Sequence, residues 1–195
     1  MNVKIYGRTL DFYLLFFFFS SFLGWLWEVV LTLFSQHEFI NRGILFGPWL
    51  PIYGFGGCFL VLLLQKLKKH PALIFLISLL LCSVLEYFSG LLLETLWDVK
   101  WWDYSEHTWN LHGRICLLCS IGFGIGGLLI LYVILPLFER LYDKIPQKAA
   151  LIVSLILLLF LAADAAYAAD FPNMGKGISE PAGKIILLSF LLSPK

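Results

Sequence analysis

Two glutamates stand inside long runs of otherwise apolar residues. Glu28 lies within Leu14 to Phe34, in Trp25-Leu26-Trp27-Glu28-Val29-Val30, and Glu86 lies within Ala72 to Leu96, in Ser83-Val84-Leu85-Glu86-Tyr87. A carboxylate at bilayer depth costs roughly 2.5–3.5 kcal/mol on insertion scales, so such a group faces a protein interior and has a partner. A carboxyl so placed can relay a proton or cation, bind a substrate, or act as general acid and base. The competing reading is a structural ion pair or hydrogen bond that fixes helix register. Glu94 and Asp98, nearer the end of the second run, read as surface charges.

Arg42 and Arg114 are the natural partners of these carboxylates, each at the start of a later apolar run. Arginine keeps its charge and offers a planar fork to carboxylate or phosphate. The pair therefore reads either as the glutamates' counter-ions or as a site for an anionic group such as a lipid phosphate. Helix N-termini at Gly43 and Gly113 would add favourable dipoles to such a site. Gly47-Pro48-Trp49-Leu50-Pro51-Ile52-Tyr53-Gly54 places two prolines and two glycines beside Tyr53. This pattern kinks or breaks a helix, and irregular backbone at membrane depth must be buried in protein or line a cavity.

The stretch Trp97 to Ser105 is dense in aromatic residues and reads mainly as an interfacial belt. Asp103, His107, Asn110, His112 and Arg114 nevertheless fall within a dozen residues and can fold over the mouth of a bundle. Their spacing is not that of a zinc site, so neither metal nor cofactor is expected. Cys116-Leu117-Leu118-Cys119 has the spacing of a redox pair, but a quinone-linked thiol oxidoreductase would normally carry a second cysteine pair in an outer loop, and the loops contain none. No G-x-x-x-x-G-K-[ST], G-x-S-x-G or H-E-x-x-H occurs, so no ATPase activity is expected from that motif.

The elements that must carry these residues are membrane helices. The chain has 195 residues, 60% of them hydrophobic, with a mean hydropathy of +0.86. A soluble domain of that composition would expose large apolar patches, so the fold class is an all-α polytopic membrane bundle. About 20 apolar residues cross a bilayer as a helix. Five segments qualify, at about 10–34, 43–64, 71–96, 113–138 and 148–168, within one transmembrane domain over residues 1–169. The first is expected to be retained as a span and not removed as a signal peptide. Residues 170–195 read as a flexible or interfacial tail, with Ile185 to Leu192 too short to span. The net charge of +1 gives no reason to expect nucleic acid. Lys4, Arg8, Lys66, Lys68, Lys69, Arg140, Lys144 and Lys148 fall on the side of the N-terminus, against Arg42, Lys100 and Arg114 on the other. The tail's Lys176, Lys184 and Lys195 lie mostly far from the last span. This bias predicts a cytoplasmic N-terminus.

Residues 41–57 and 111–127 align without a gap, so that Gly43, Gly54, Gly56 and Gly57 fall on Gly113, Gly124, Gly126 and Gly127. Each segment follows a span carrying a glutamate. The alignment suggests two helical hairpins in the same orientation, related by an axis along the membrane normal. Chance is the alternative, because small residues are common where membrane helices approach closely.

Trp27-Glu28, Arg42-Gly43-Ile44 leading to Gly47-Pro48 and Pro51-Ile52-Tyr53-Gly54, Leu85-Glu86-Tyr87, Trp102-Asp103-Tyr104-Ser105, and Asn110 to Gly113-Arg114-Ile115 occur in that order. Together they resemble the putative ABC-transporter type IV membrane proteins, found widely in Gram-positive bacteria, over residues 10 to 140. The resemblance implies a multi-pass permease of the bacterial plasma membrane. The leading expectation is a permease-like protein or transporter subunit, with Glu28, Arg42, Tyr53, Glu86, Asp103, Asn110 and Arg114 as substrate-binding or ion-relay candidates. The lipid bilayer, a separate ATPase or other membrane subunit, and a second copy of the chain are its expected partners. The alternatives are a non-catalytic accessory or assembly protein, and, with an enzyme less favoured, an intramembrane enzyme acting on a lipid-linked substrate.

Overall fold

Prolines set where the helices start and where one of them loosens. The computed structural model describes residues 4–174. Helix α1 covers Leu10–Gln36, α2 Pro51–Leu64, α3 Pro71–Trp97, α4 Leu117–Leu129, α5 Leu135–Tyr142 and α6 Gln147–Asp170. Pro51 and Pro71 occupy first helical turns, where a missing N–H leaves nothing unpaired. A π-helical turn, Ile130–Ile134, joins α4 to α5, and Pro136 is the second residue of α5. Inside a helix a proline crowds the carbonyl four residues back and gives it no donor, and the wide turn absorbs that mismatch. Two short antiparallel hairpins complete the described chain: β1 (Lys4–Ile5) with β2 (Arg8–Thr9), and β3 (Asn110–Leu111) with β4 (Ile115–Cys116).

The protein is an all-α polytopic membrane bundle. Four helices are long and apolar enough to cross a membrane: α1, α3, α6, and α4–α5 as one unit, Leu117–Tyr142. The remaining expected span is shorter than the sequence suggests. Helix is expected from residue 43, but it begins at Pro51 and, with a 3-10 turn over Gln65–Leu67, ends at Leu67. At 1.5 Å per residue Pro51–Leu67 reaches about 25 Å, against about 30 Å of hydrocarbon. Pro48 and Pro51 push the residues before them toward extended backbone, and Gly43 takes φ +95°, a left-handed turn open to glycine. Residues 37–50 therefore return into the bundle as a loop, and the Leu50 N–H bonds the Ser21 carbonyl midway along α1.

The two helical hairpins, α1 with α2 and α3 with α4, repeat some of their contacts. Phe17, Ser20 and Glu28 of α1 recur at the same spacing as Phe75, Ser78 and Glu86 of α3. A Cβ on Gly54 would strike Phe17, and one on Gly124 would strike Phe75; Gly57 meets Ser20 as Gly127 meets Ser78. Two of the four matched glycine pairs thus face matched partners, while Gly43 and Gly113, and Gly56 and Gly126, do not; the two that do support the parallel-hairpin reading by contacts that spacing alone does not give.

Phe12, Phe16, Leu60, Leu64, Leu131, Leu135 and Phe138 form the core at the end holding the N-terminus. There Arg8 forms an ion pair with Glu139 and donates to Gln65 Oε1 at 2.8 Å, tying β2, the 3-10 turn after α2 and α5 together. Leu80, Phe88, Leu159 and Phe160 point outward, as a lipid-facing surface requires. Residues 175–195, including the 185–192 run, lie outside the described residues. Within the described part, the Asn173 N–H bonds the Ile44 carbonyl at 2.9 Å.

Candidate functional site

Helix α1 presents Glu28 to the start of α2. The Tyr53 hydroxyl donates to Glu28 Oε1 at 2.7 Å, and Arg42 Nε lies 3.9 Å from Glu28 Oε2. Gly24 makes this possible, because any Cβ there would overlap the Tyr53 ring. Glu86 on α3 is 8% exposed and has a different neighbour: the Tyr104 hydroxyl, from the aromatic loop, donates to its Oε1 at 3.1 Å. Its second oxygen, buried, finds no hydrogen-bond donor among the described residues. The two glutamates stand within electrostatic reach of each other, and Tyr53 feels both of them together with Arg42. Glu28, Arg42 and Tyr53 therefore form one contact group, with Glu86 within electrostatic reach of it but bonded elsewhere.

Arg114 is turned elsewhere. It pairs with Glu94 at 2.7 Å and stacks over the Tyr87 ring, so Glu86 does not take it as a counter-ion. Glu94 is thereby a paired group and not a surface charge. Asp103 and Asn110 shape the loop instead of reaching the glutamates. Asp103 Oδ1 accepts from the Ser105 N–H at 2.9 Å and its hydroxyl at 2.5 Å, while Asn110 donates to the Ser105 and His107 carbonyls and accepts from the Gly113 N–H. Partial burial raises the Asp103 pKa, but the Ser105 bonds and Lys100 outweigh it and hold the carboxyl below its ordinary value. Burial, then the Glu86 carboxyl and the Cys119 thiol, push the Tyr104 hydroxyl well above the tyrosine range. Tyr104 thus remains a protonated donor.

Asp164 and Tyr104 are the residues that sequence reasoning missed. Asp164 lies on α6 and accepts from the Phe46 N–H at 3.0 Å, the Gly47 N–H at 2.9 Å and Trp49 Nε1–H at 2.8 Å. It holds the returning loop in place, with Asn173 gripping the Asn41 and Gly43 carbonyls beside it. The signal was available, since Asp164 sits in the apolar run Leu161-Ala162-Ala163-Asp164-Ala165-Ala166 and obeys the same rule as the two glutamates. Among the described residues no three His, Cys, Asp or Glu side chains come together as a metal site would need.

The family model for putative ABC-transporter type IV matches residues 15–169. The chain belongs to that family. The match passes the limit of the sequence resemblance at residue 140 and takes in α6, so the Asp164 anchor falls inside the ABC-transporter type IV region. No curated protein and no solved structure matches the chain.

Proposed function

We propose that the protein is the membrane subunit of a transporter, and that Glu28, Arg42, Tyr53, Glu86 and Tyr104 line its substrate or ion site. The observation that carries this reading is a pair of intramembrane carboxyls within electrostatic reach of each other, one of them with a buried oxygen that finds no donor among the described residues. Nature rarely leaves such a group in a membrane interior without a function. The returning loop over residues 37–50 adds irregular backbone beside the carboxyls, an arrangement that transporter binding sites favour. In this account the N-terminus is cytoplasmic in the plasma membrane, with Lys66, Lys68, Lys69, Arg140 and Lys144 on that face. A separate ATPase docks there, against the Lys66 to His70 and Glu139 to Lys148 segments. Affinity purification from the native membrane tests it: a nucleotidase should co-purify and be released when Arg140 and Lys144 are changed to Glu. Recovery without any nucleotidase would contradict the transporter reading.

The Arg114–Glu94 pair favours a second reading, an accessory membrane protein in which the charged groups only set helix register. In that case Glu28→Gln and Glu86→Gln lower stability without loss of any bound solute.

A further inference from the structure

A thiol pair at the aromatic-loop end is unused by the transport reading. Cys116 ends β4 and caps α4 in extended conformation, φ −137° and ψ 158°, while Cys119 lies in the first helical turn. That change of backbone turns the two side chains toward each other: the sulfurs are 2.8 Å apart, both as free thiols, and the Cys119 N–H donates to Cys116 Sγ at 3.3 Å. A cleft of about 320 Å³, lined by Trp109, Asn110, Leu111 and Leu117, opens onto Cys116. Cys116 itself is only 2% exposed, so the cleft suits a small organic disulfide and not the surface of a folded protein. On the other side Cys119 contacts the Tyr104 hydroxyl, which donates to Glu86. Cys58 has no such setting, its thiol bonding the Tyr13 carbonyl inside the bundle.

We propose that Cys116 and Cys119 form a thiol–disulfide exchange site whose oxidant is a low-molecular-weight organic disulfide. The proposal stands whether or not the polar site transports. Cys116 sulfur attacks one sulfur of R–S–S–R, the S–S bond breaks, and R–S⁻ leaves and takes up the proton that Cys116 gave away. The Cys119 N–H hydrogen-bonds negative charge on the attacking sulfur. Cys119 sulfur then attacks the Cys116 sulfur of the mixed disulfide, its proton passing through the Tyr104 hydroxyl to the Glu86 carboxylate and on to the second R–S⁻. Two protein thiols lose two electrons in total, and the organic disulfide gains them as two R–SH.

The test uses the full-length reduced protein in detergent, with oxidised glutathione as the probe. After quenching with an alkylating agent, peptide mass spectrometry locates each modification. The expected result is a Cys116–Cys119 disulfide that forms before Cys58 or Cys82 takes up glutathione. Cys119→Ser should keep glutathione on Cys116, and Tyr104→Phe should accumulate the same mixed disulfide because resolution slows about a hundredfold, the low end for a positioned proton acceptor. Equal labelling of all four cysteines, or absence of the 116–119 disulfide, would overturn the proposal. Should the serine variant fail to fold, the order of modification in the unaltered protein decides alone. Wild-type resolution by Tyr104→Phe would overturn the relay.

Discussion

Replacing Asp164 with alanine should release the returning loop. Three donors converge on this carboxylate, and each would lose its acceptor: the Phe46 N–H, the Gly47 N–H and Trp49 Nε1–H. A hydrogen bond to a charged acceptor contributes about 1.5–3 kcal/mol. Water can replace the bond of the exposed Phe46, so its share is near zero; counting the two part-buried donors at the low end gives about 3 kcal/mol. At 1.36 kcal/mol per decade that corresponds to about a hundredfold more frequent opening of the loop. Hydrogen exchange reads this directly at Gly47, whose amide should exchange about a hundredfold faster in Asp164→Ala. Asp164→Asn keeps one acceptor oxygen and should fall between. Core amides of α1 and α3 should hold their protection. Unchanged exchange at Gly47 in Asp164→Ala would refute the reasoning, because the loop would then be held by its other ties, the Asn173 bonds to the Asn41 and Gly43 carbonyls and the Leu50 N–H bond to the Ser21 carbonyl.

Other consequences follow from the same geometry. A Cβ at Gly127 overlaps Ser78, whereas Gly122 has open space; Gly127→Ala should lower thermal stability by about 1–3 kcal/mol and Gly122→Ala should not. For the Arg114–Glu94 pair, a double-mutant cycle with Arg114→Gln and Glu94→Gln should return a coupling of about 1 kcal/mol, while the same cycle with Glu86 should return near zero. Asp103 has a folded pKa held below its ordinary value of 3.8, so its contribution is present above that pH and disappears as pH falls through the lower folded value. Protease nicking of the 98–113 loop should rise at that acid end, and Asp103→Asn should show the higher nicking rate already at neutral pH.

Most of the helical plan is visible in the sequence because apolar length is a direct requirement of the bilayer. The boundaries of α1, α3 and α6 follow from it within a residue or two. The start of α2 does not, because hydropathy cannot tell an apolar helix from an apolar loop buried in protein; the prolines at 48 and 51 were the clue, and they only located a break. Glu28 and its partners Arg42 and Tyr53 come together from segments close in sequence, so their proximity is partly readable. Tyr104 reaching Glu86 and Arg114 reaching Glu94 depend on the path of a 19-residue connection between α3 and α4 (residues 98–116), which spacing does not encode. Asp164 is hard to single out because the alanines around it resemble an ordinary helix end, yet its charge in an apolar run carries the same message as the glutamates.

The most direct test of the account is native mass spectrometry of the detergent-purified protein beside Glu28→Gln, Glu86→Gln and the double variant. The account predicts a solute or ion adduct on the unaltered protein that weakens in each single variant and disappears in the double, with helical content kept. An adduct that survives intact in the double variant would contradict the claim that these two carboxyls build the site.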